Sequence, residues 1–241
     1  MVLKPLRKLS LLSLVVLLAL VPTLARAQAR DFDVTQNRTH VGTASFKFTA
    51  TPGGYDSTSV VRISMQGLNY ALSKTEQLDH DRHLVHIILS GIVNGSAVSI
   101  IGTPDSGKVL LIISANGRSS TSRLDAHPDE VVMPDFDPGA LETLLARAAT
   151  QNNRDLWAIL PKGTGSAVQV RLATYADQDG TLDGKPVTVH HLVATIGNDS
   201  IDLFSGPTNH LLQAELTSQG FALVRKGFVL TPPAKPIVPA Q

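Results

Sequence analysis

Alternation with period two runs through most of the chain. Ala44, Phe46, Phe48 and Ala50 alternate with Ser45, Lys47 and Thr49, which gives a half-buried strand one apolar and one polar face. Val61, Ile63 and Met65 repeat the pattern, and Leu68, Tyr70 and Leu72 take it up after Gly67. Between the first two runs, Pro52, Gly53 and Gly54 predict a turn, because Pro presets its own φ and Gly tolerates positive φ. Strands in sequence joined by tight turns predict an antiparallel meander.

Leu84–Leu89 and Val109–Ile113 are nearly continuous apolar runs rich in β-branched residues. Such strands are expected to be covered on both faces. Asn94-Gly95 predicts a two-residue hairpin, since both turn positions need positive φ. Asp105–Gly107 and Asn116-Gly117 predict the next reversals, for about six strands before residue 125 by the short-strand, regular-turn rhythm.

The period then changes once. Leu141, Leu144, Leu145 and Ala148 stand at the i, i+3, i+4, i+7 spacing of one helical face, with Glu142, Thr143 and Arg147 expected away from it. Asp137 is a suitable N-cap and Pro138 a suitable first helical residue, its missing N–H being unpaired there in any case. This predicts one amphipathic helix over 138–149, ended by Asn152 and Asn153. Strands resume at Leu156–Leu160, closed by Pro161. They continue through Val168–Leu172, Val187–Ile196, Ile201–Phe204, Leu211–Leu216 and Phe221–Phe228, with turns at Asp183-Gly184, Gly197–Asp199, Gly206–Asn209 and Gly220. Pro232, Pro233, Pro236 and Pro239 then stop any strand.

The fold class expected is therefore mainly β: an antiparallel meander curved into an open barrel or half-barrel around one amphipathic helix. The organisation expected is a leader over 1–27, an N-terminal segment over 28–42, a single β-rich domain over 43–230 and a Pro-rich tail over 231–241. No fixed-period repeat and no Gly/Ser linker divides it; the helical stretch at 126–155 is the one candidate boundary.

The leader changes the charge. Lys4, Arg7 and Lys8 precede an apolar run from Leu14 to Val21, and Ala25-Arg26-Ala27 offers small residues where a signal peptidase reads them. The run is short of the ~20 residues that span a bilayer, and Pro22 interrupts it. Cleavage after Ala27 or Ala29 is expected, with a periplasmic or secreted product that has no integral membrane span. The leader holds four of the 21 Lys and Arg and no acid. Its removal leaves 17 basic against 20 acidic side chains and turns the formal charge from +1 to −3. No basic cluster remains and aromatics are 5% of the chain, so nucleic acid is not an expected partner. The absence of cysteine excludes disulfide frameworks, thiol catalysis and thiolate metal sites.

Candidate chemistry is sparse. Gly102–Lys108 matches the first seven positions of a phosphate-binding loop, but Val109 replaces the required Ser or Thr and a strand follows where a helix is needed. That segment reads as a hairpin turn. His80, His83 and His86 stand three apart, yet strand geometry sends His83 and His86 to opposite faces. His190 and His191 are neighbours in a strand and diverge likewise, and no metal site is expected. The pairs Asp31/Asp33, Asp79/Asp81, Asp135/Asp137 and Asp177/Asp179 lie in polar or turn-like stretches and lack the further oxygens of a calcium loop. The Asn37 and Asn94 sequons fall in turns. No G-x-S-x-G, S-x-x-K or H-E-x-x-H motif occurs, so no catalytic residue and no cofactor is assigned.

Leu182–Pro186, Asp202–Pro207, Leu211–Leu216 and Gly220–Arg225 resemble the closing hairpins of uncharacterised exported bacterial domains. Those domains resemble the curved antiparallel sheets of periplasmic lipoprotein-carrier-like proteins. The likeness covers the last third closely and the rest as a strand–helix–strand plan. It implies a bent sheet wrapped around a helix, and it carries no catalytic residues. The resulting expectation is an exported, non-enzymatic cell-envelope protein that binds an apolar or lipid-like ligand in a groove, with Leu141, Leu144, Leu145 and Trp157 as groove candidates. A structural or protein-interaction module with an envelope partner and no ligand is the alternative, and a hydrolase with a spatially assembled site is the third.

Overall fold

A computed structural model describes residues 29–150 and 156–232. The predicted leader, the helix end at Asn152 and Asn153 and the tail beyond 232 lie outside the described residues. The strands of the first half are β1 (Arg30–Gln36), β2 (Thr39–Thr51), β3 (Gly54–Met65), β4 (Leu68–Leu78), β5 (Leu84–Val93), β6 (Ser96–Asp105), β7 (Lys108–Ala115), β8 (Arg118–Asp125) and β9 (Asp129–Val132). Helix α1 (Pro138–Thr150) follows. After it come β10 (Leu156–Leu160), β11 (Ser166–Thr174), β12 (Gln178–Leu182), β13 (Lys185–Ile196), β14 (Asp199–Ser205), β15 (Leu211–Leu216), β16 (Phe221–Arg225) and β17 (Phe228–Leu230).

The seventeen strands of the described residues belong to one sheet, mainly antiparallel and not closed into a barrel. The meander β2 to β8 pairs each strand with the next. In the second half β13 to β16 do the same. Strand β1 is the seam: one edge pairs with β2 and the other with β16. The far edge of β13 is shared, Lys185–Val189 pairing with β12 and Leu192–Ile196 with β11. Beyond β11 lies β10, then β9 in the one parallel ladder; β12 carries β17. The segment 28–42 thus supplies the strand that joins the halves, with Phe32 and Val34 wholly buried.

Turn chemistry follows the sequence. Asn94 and Gly95 take φ of 49° and 81°, and Ser106-Gly107, Asn116-Gly117 and Asp183-Gly184 are likewise both positive, the backbone that matches the twist of paired strands. The phosphate-loop look-alike is accordingly the β6–β7 hairpin. Gly165, at φ 82°, turns the β10–β11 hairpin against Leu111, Ile113 and Leu124. That contact brings the second half onto the inner face of β7 and β8, where Ile87, Leu89, Leu111, Val132 and Ile159 form a core of their own.

Two expectations are corrected. The runs in β5 and β7 are covered on one face only: Val85, Ile88 and Ile92 of β5 and Ile112 of β7 are exposed, as is Ile101 of β6 between them, because among the described residues nothing packs on the outside of this meander. Helix α1, in turn, is not one-sided. Leu141, Leu144, Leu145 and Ala148 are buried as the stripe requires, and so are Glu142, Thr143 and Arg147. The sheet curls around the helix, which packs on β2, β3, β9 and β15. Its polar face is therefore buried as well, and each of those side chains needs a partner.

Candidate functional site

The helix is held by charges at both ends. Asp137 is the N-cap, its Oδ1 accepting from the Gly139 and Ala140 amides at 2.8 and 3.2 Å. Its Oδ2 accepts from Ser59 at 3.0 Å and from Lys74 Nζ at 2.9 Å. Lys74 also meets Glu76 at 3.1 Å. Lys74 and Glu76 are two apart in β4 and so share its inner face. Burial would lower the Lys74 ammonium, but Asp137 and Glu76 outweigh it and raise it. Burial raises the Glu76 carboxyl, Lys74 pulling the other way and Asp137 adding to the rise. These three side chains are 1–2% exposed and act as an anchor.

At the other end, Arg147 donates to the Asp81 carbonyl at 2.9 Å and the Pro128 carbonyl at 2.7 Å, and pairs with Asp129. Glu142 pairs with Arg30, the first residue of β1, and accepts from the Leu211 amide at 2.7 Å and from His210 Nδ1 at 2.6 Å. Arg30 also donates to His210 Nε2 at 3.1 Å. Guanidinium has no acceptor, so His210 carries its proton on Nδ1 in this arrangement. Burial would raise the Glu142 carboxyl, yet His210, Arg30 and the Leu211 amide together hold it below its ordinary value.

Between these side chains and the β4–β5 turn lies a cleft of about 580 Å³. One wall is α1, with Glu142, Ala146, Arg147 and Ala149. The opposite wall is Phe48 of β2 and Tyr55 of β3, and the rim is His80–His83 and Thr208–His210. Asp79 braces the His80–His83 side of the rim. Its Oδ1 accepts from the Asp81 and His83 amides, its Oδ2 meets His83 Nδ1 at 2.9 Å, and its carbonyl takes the Arg82 amide. Arg82, at φ 65°, is aimed by this turn over the Tyr55 and Phe48 rings, 5.3 and 5.8 Å from their centroids. A second cleft of about 340 Å³, lined by Leu145, Ala148 and Leu192 among others, shares Ala149 and Asn209 with the first.

The sequence-derived groove residues are dispersed. Leu144 is wholly enclosed at 0% exposure. Leu141 reaches a pocket of about 80 Å³ beside Phe136, Leu145 lines the second cleft, and Trp157 stacks on His127 at 3.5 Å. Arg30, Arg82 and His210, which shape the main cleft, carried no sequence signal, because strands and turns distant in the chain bring them together. Glu142 was placed on the helix but away from its apolar stripe. His80 and His83 do share the cleft, and His83 is held by Asp79. His191 lies between Gln178 and Asp202, and no hydrogen bond joins a serine to a histidine among the described residues. No cluster of metal-ligating side chains occurs among them either, and none of their helices is long and apolar enough to cross a membrane. Compared with protein-family models, with curated proteins and with solved structures, the chain matches none.

Proposed function

We propose that this is an exported, non-enzymatic binding protein of the cell envelope, which takes an apolar or lipid-like ligand between α1 and the mouth of the curved sheet. The observation that carries the reading is the pair of adjoining clefts along the C-terminal half of α1. The first has the volume of an ordinary small-ligand site, with an aromatic wall at Phe48 and Tyr55 and a helix wall on which Ala146 and Ala149 stand beside Glu142 and Arg147. The second adjoins it at Ala149 and Asn209 and sets Leu145, Ala148 and Leu192 beside Thr174, Asp177 and His190. Export rests on the basic start, short apolar run and Ala25/Ala27 pattern of the leader. The lipoprotein-carrier-like resemblance supports a groove on analogy of fold alone.

The test is native mass spectrometry of the protein expressed with its leader and extracted from the periplasm. An adduct of lipid mass that disappears in the Ala149→Asp variant is the expected result. A bare polypeptide mass from every preparation, together with a stoichiometric protein partner, overturns it. That outcome would favour the second reading, a structural or interaction module of the envelope. One observation favours this second reading: α1 itself fills the hollow of the sheet, with Leu144 and its neighbours packed among Phe32, Phe46, Leu203 and Leu211.

A further inference from the structure

The charges around the main cleft are not equivalent. Arg30 is neutralised by Glu142, and Arg147 by Asp129. Arg82 pairs with no carboxylate among the described residues, although it is half-buried and its backbone is held in a left-handed conformation. Two rings hold the guanidinium from below, which leaves its N–H edge as a fork suited to a carboxylate or phosphate. The turn that carries it is braced by Asp79 and tied to α1 through the Arg147–Asp81 hydrogen bond. His80 and His83 stand on the same rim, with the exposed Asp81 between them. From the rim, the surface runs over Ala146 and Ala149 to the second cleft, where Leu192 and the edges of the buried Leu145 and Ala148 stand beside Thr174 and the Asp177–His190 pair.

We infer that the ligand is an anionic amphiphile whose carboxylate or phosphate head is held by Arg82 and whose apolar tail lies along α1 into the second cleft. This rests on the ligand-binding reading above and adds the chemistry of the head and its place. The tail is assigned to the second cleft because that cleft shares Ala149 and Asn209 with the first. The site for the head is preorganised because the turn and the aromatic platform hold Arg82 without a ligand, which limits the side-chain entropy lost on binding.

The experiment is titration calorimetry on the leader-free protein with four probes below their micellar concentrations: lauric acid, dodecyl phosphate, neutral dodecyl maltoside and inorganic phosphate. Laurate and dodecyl phosphate are expected to bind more tightly than dodecyl maltoside. Arg82→Gln should weaken both at least about tenfold, the scale of a lost charge-assisted fork, and leave the maltoside unchanged, while Arg82→Lys retains part of the preference. Ala149→Asp should weaken all three dodecyl probes. Circular dichroism melts confirm that each variant folds. Equal binding of charged and neutral dodecyl probes, or indifference to Arg82→Gln, overturns the inference and leaves the ligand-binding reading intact. Binding of inorganic phosphate alone also overturns it, since the site would then take a free anion. Failure of every dodecyl probe and of phosphate sinks the ligand-binding reading itself.

Discussion

Lys74→Met tests the anchor under α1. Lys74 and Glu76 side chains are 1% and 2% exposed, and Asp137 is equally enclosed. One ammonium faces two carboxylates, so full ionisation would leave a net negative charge in the core, which is why burial drives Glu76 toward its protonated form. Methionine matches the lysine stem in length and leaves little cavity, so the loss reports charge rather than volume. Removing one partner of a buried ionic cluster costs about 3–5 kcal/mol, which for a domain of this size lowers Tm by on the order of 10 °C. Asp137 keeps Ser59 and two helix amides; Glu76 keeps nothing comparable. Glu76→Gln added to Lys74→Met should therefore recover more than half the loss. A carboxyl raised in the folded state contributes stability that is full below its unfolded pKa and fades as pH rises through its folded one. The deficit of the single variant should accordingly shrink as the solution is acidified from neutral toward the ordinary carboxylate range. Urea unfolding at a series of pH values measures all three quantities. A loss under about 1 kcal/mol, or a double variant no more stable than the single, would refute the account.

Three further outcomes follow from the same geometry. Leu144→Ala should cost about 2–5 kcal/mol as a cavity in a closed core, and Leu144→Asp should prevent cooperative melting; an unchanged melting curve for the latter would mean that α1 is not packed in the sheet. Glu142→Gln should cost about 2 kcal/mol through weakened contacts to Arg30, His210 and the Leu211 amide. Because the Glu142 carboxyl is held low, that gap should be full at neutral pH and close as pH falls below the ordinary Glu range; a gap constant across that range contradicts the assignment. Intact mass after periplasmic extraction should show a chain beginning at Gln28 or Arg30, and a full-length, membrane-retained product removes the case for export.

The sequence by itself determined the local structure. Period-two alternation marked most strands, paired positive-φ residues marked the hairpins, and Asp137-Pro138 marked the helix start to the residue, because each depends on neighbours a few positions away. The apolar spacing likewise put Leu141, Leu144, Leu145 and Ala148 on one face of the helix, while their burial came from the packing of the sheet around it. What the tertiary structure decided was closure. That β1 lies between β2 and β16, which are distant in sequence, leaves no trace in periodicity, since any apolar strand edge offers the same hydrogen bonds. The burial of the helix's polar face was equally illegible: Glu142 and Arg147 look solvent-facing until the sheet curls over them and Arg30, His210 and Asp129 arrive as partners. The cleft has the same origin. Arg82 stands in a turn and Phe48 and Tyr55 in two strands, with no shared pattern, and only the curvature that brings those elements to one mouth of the sheet turns a lone arginine into a site.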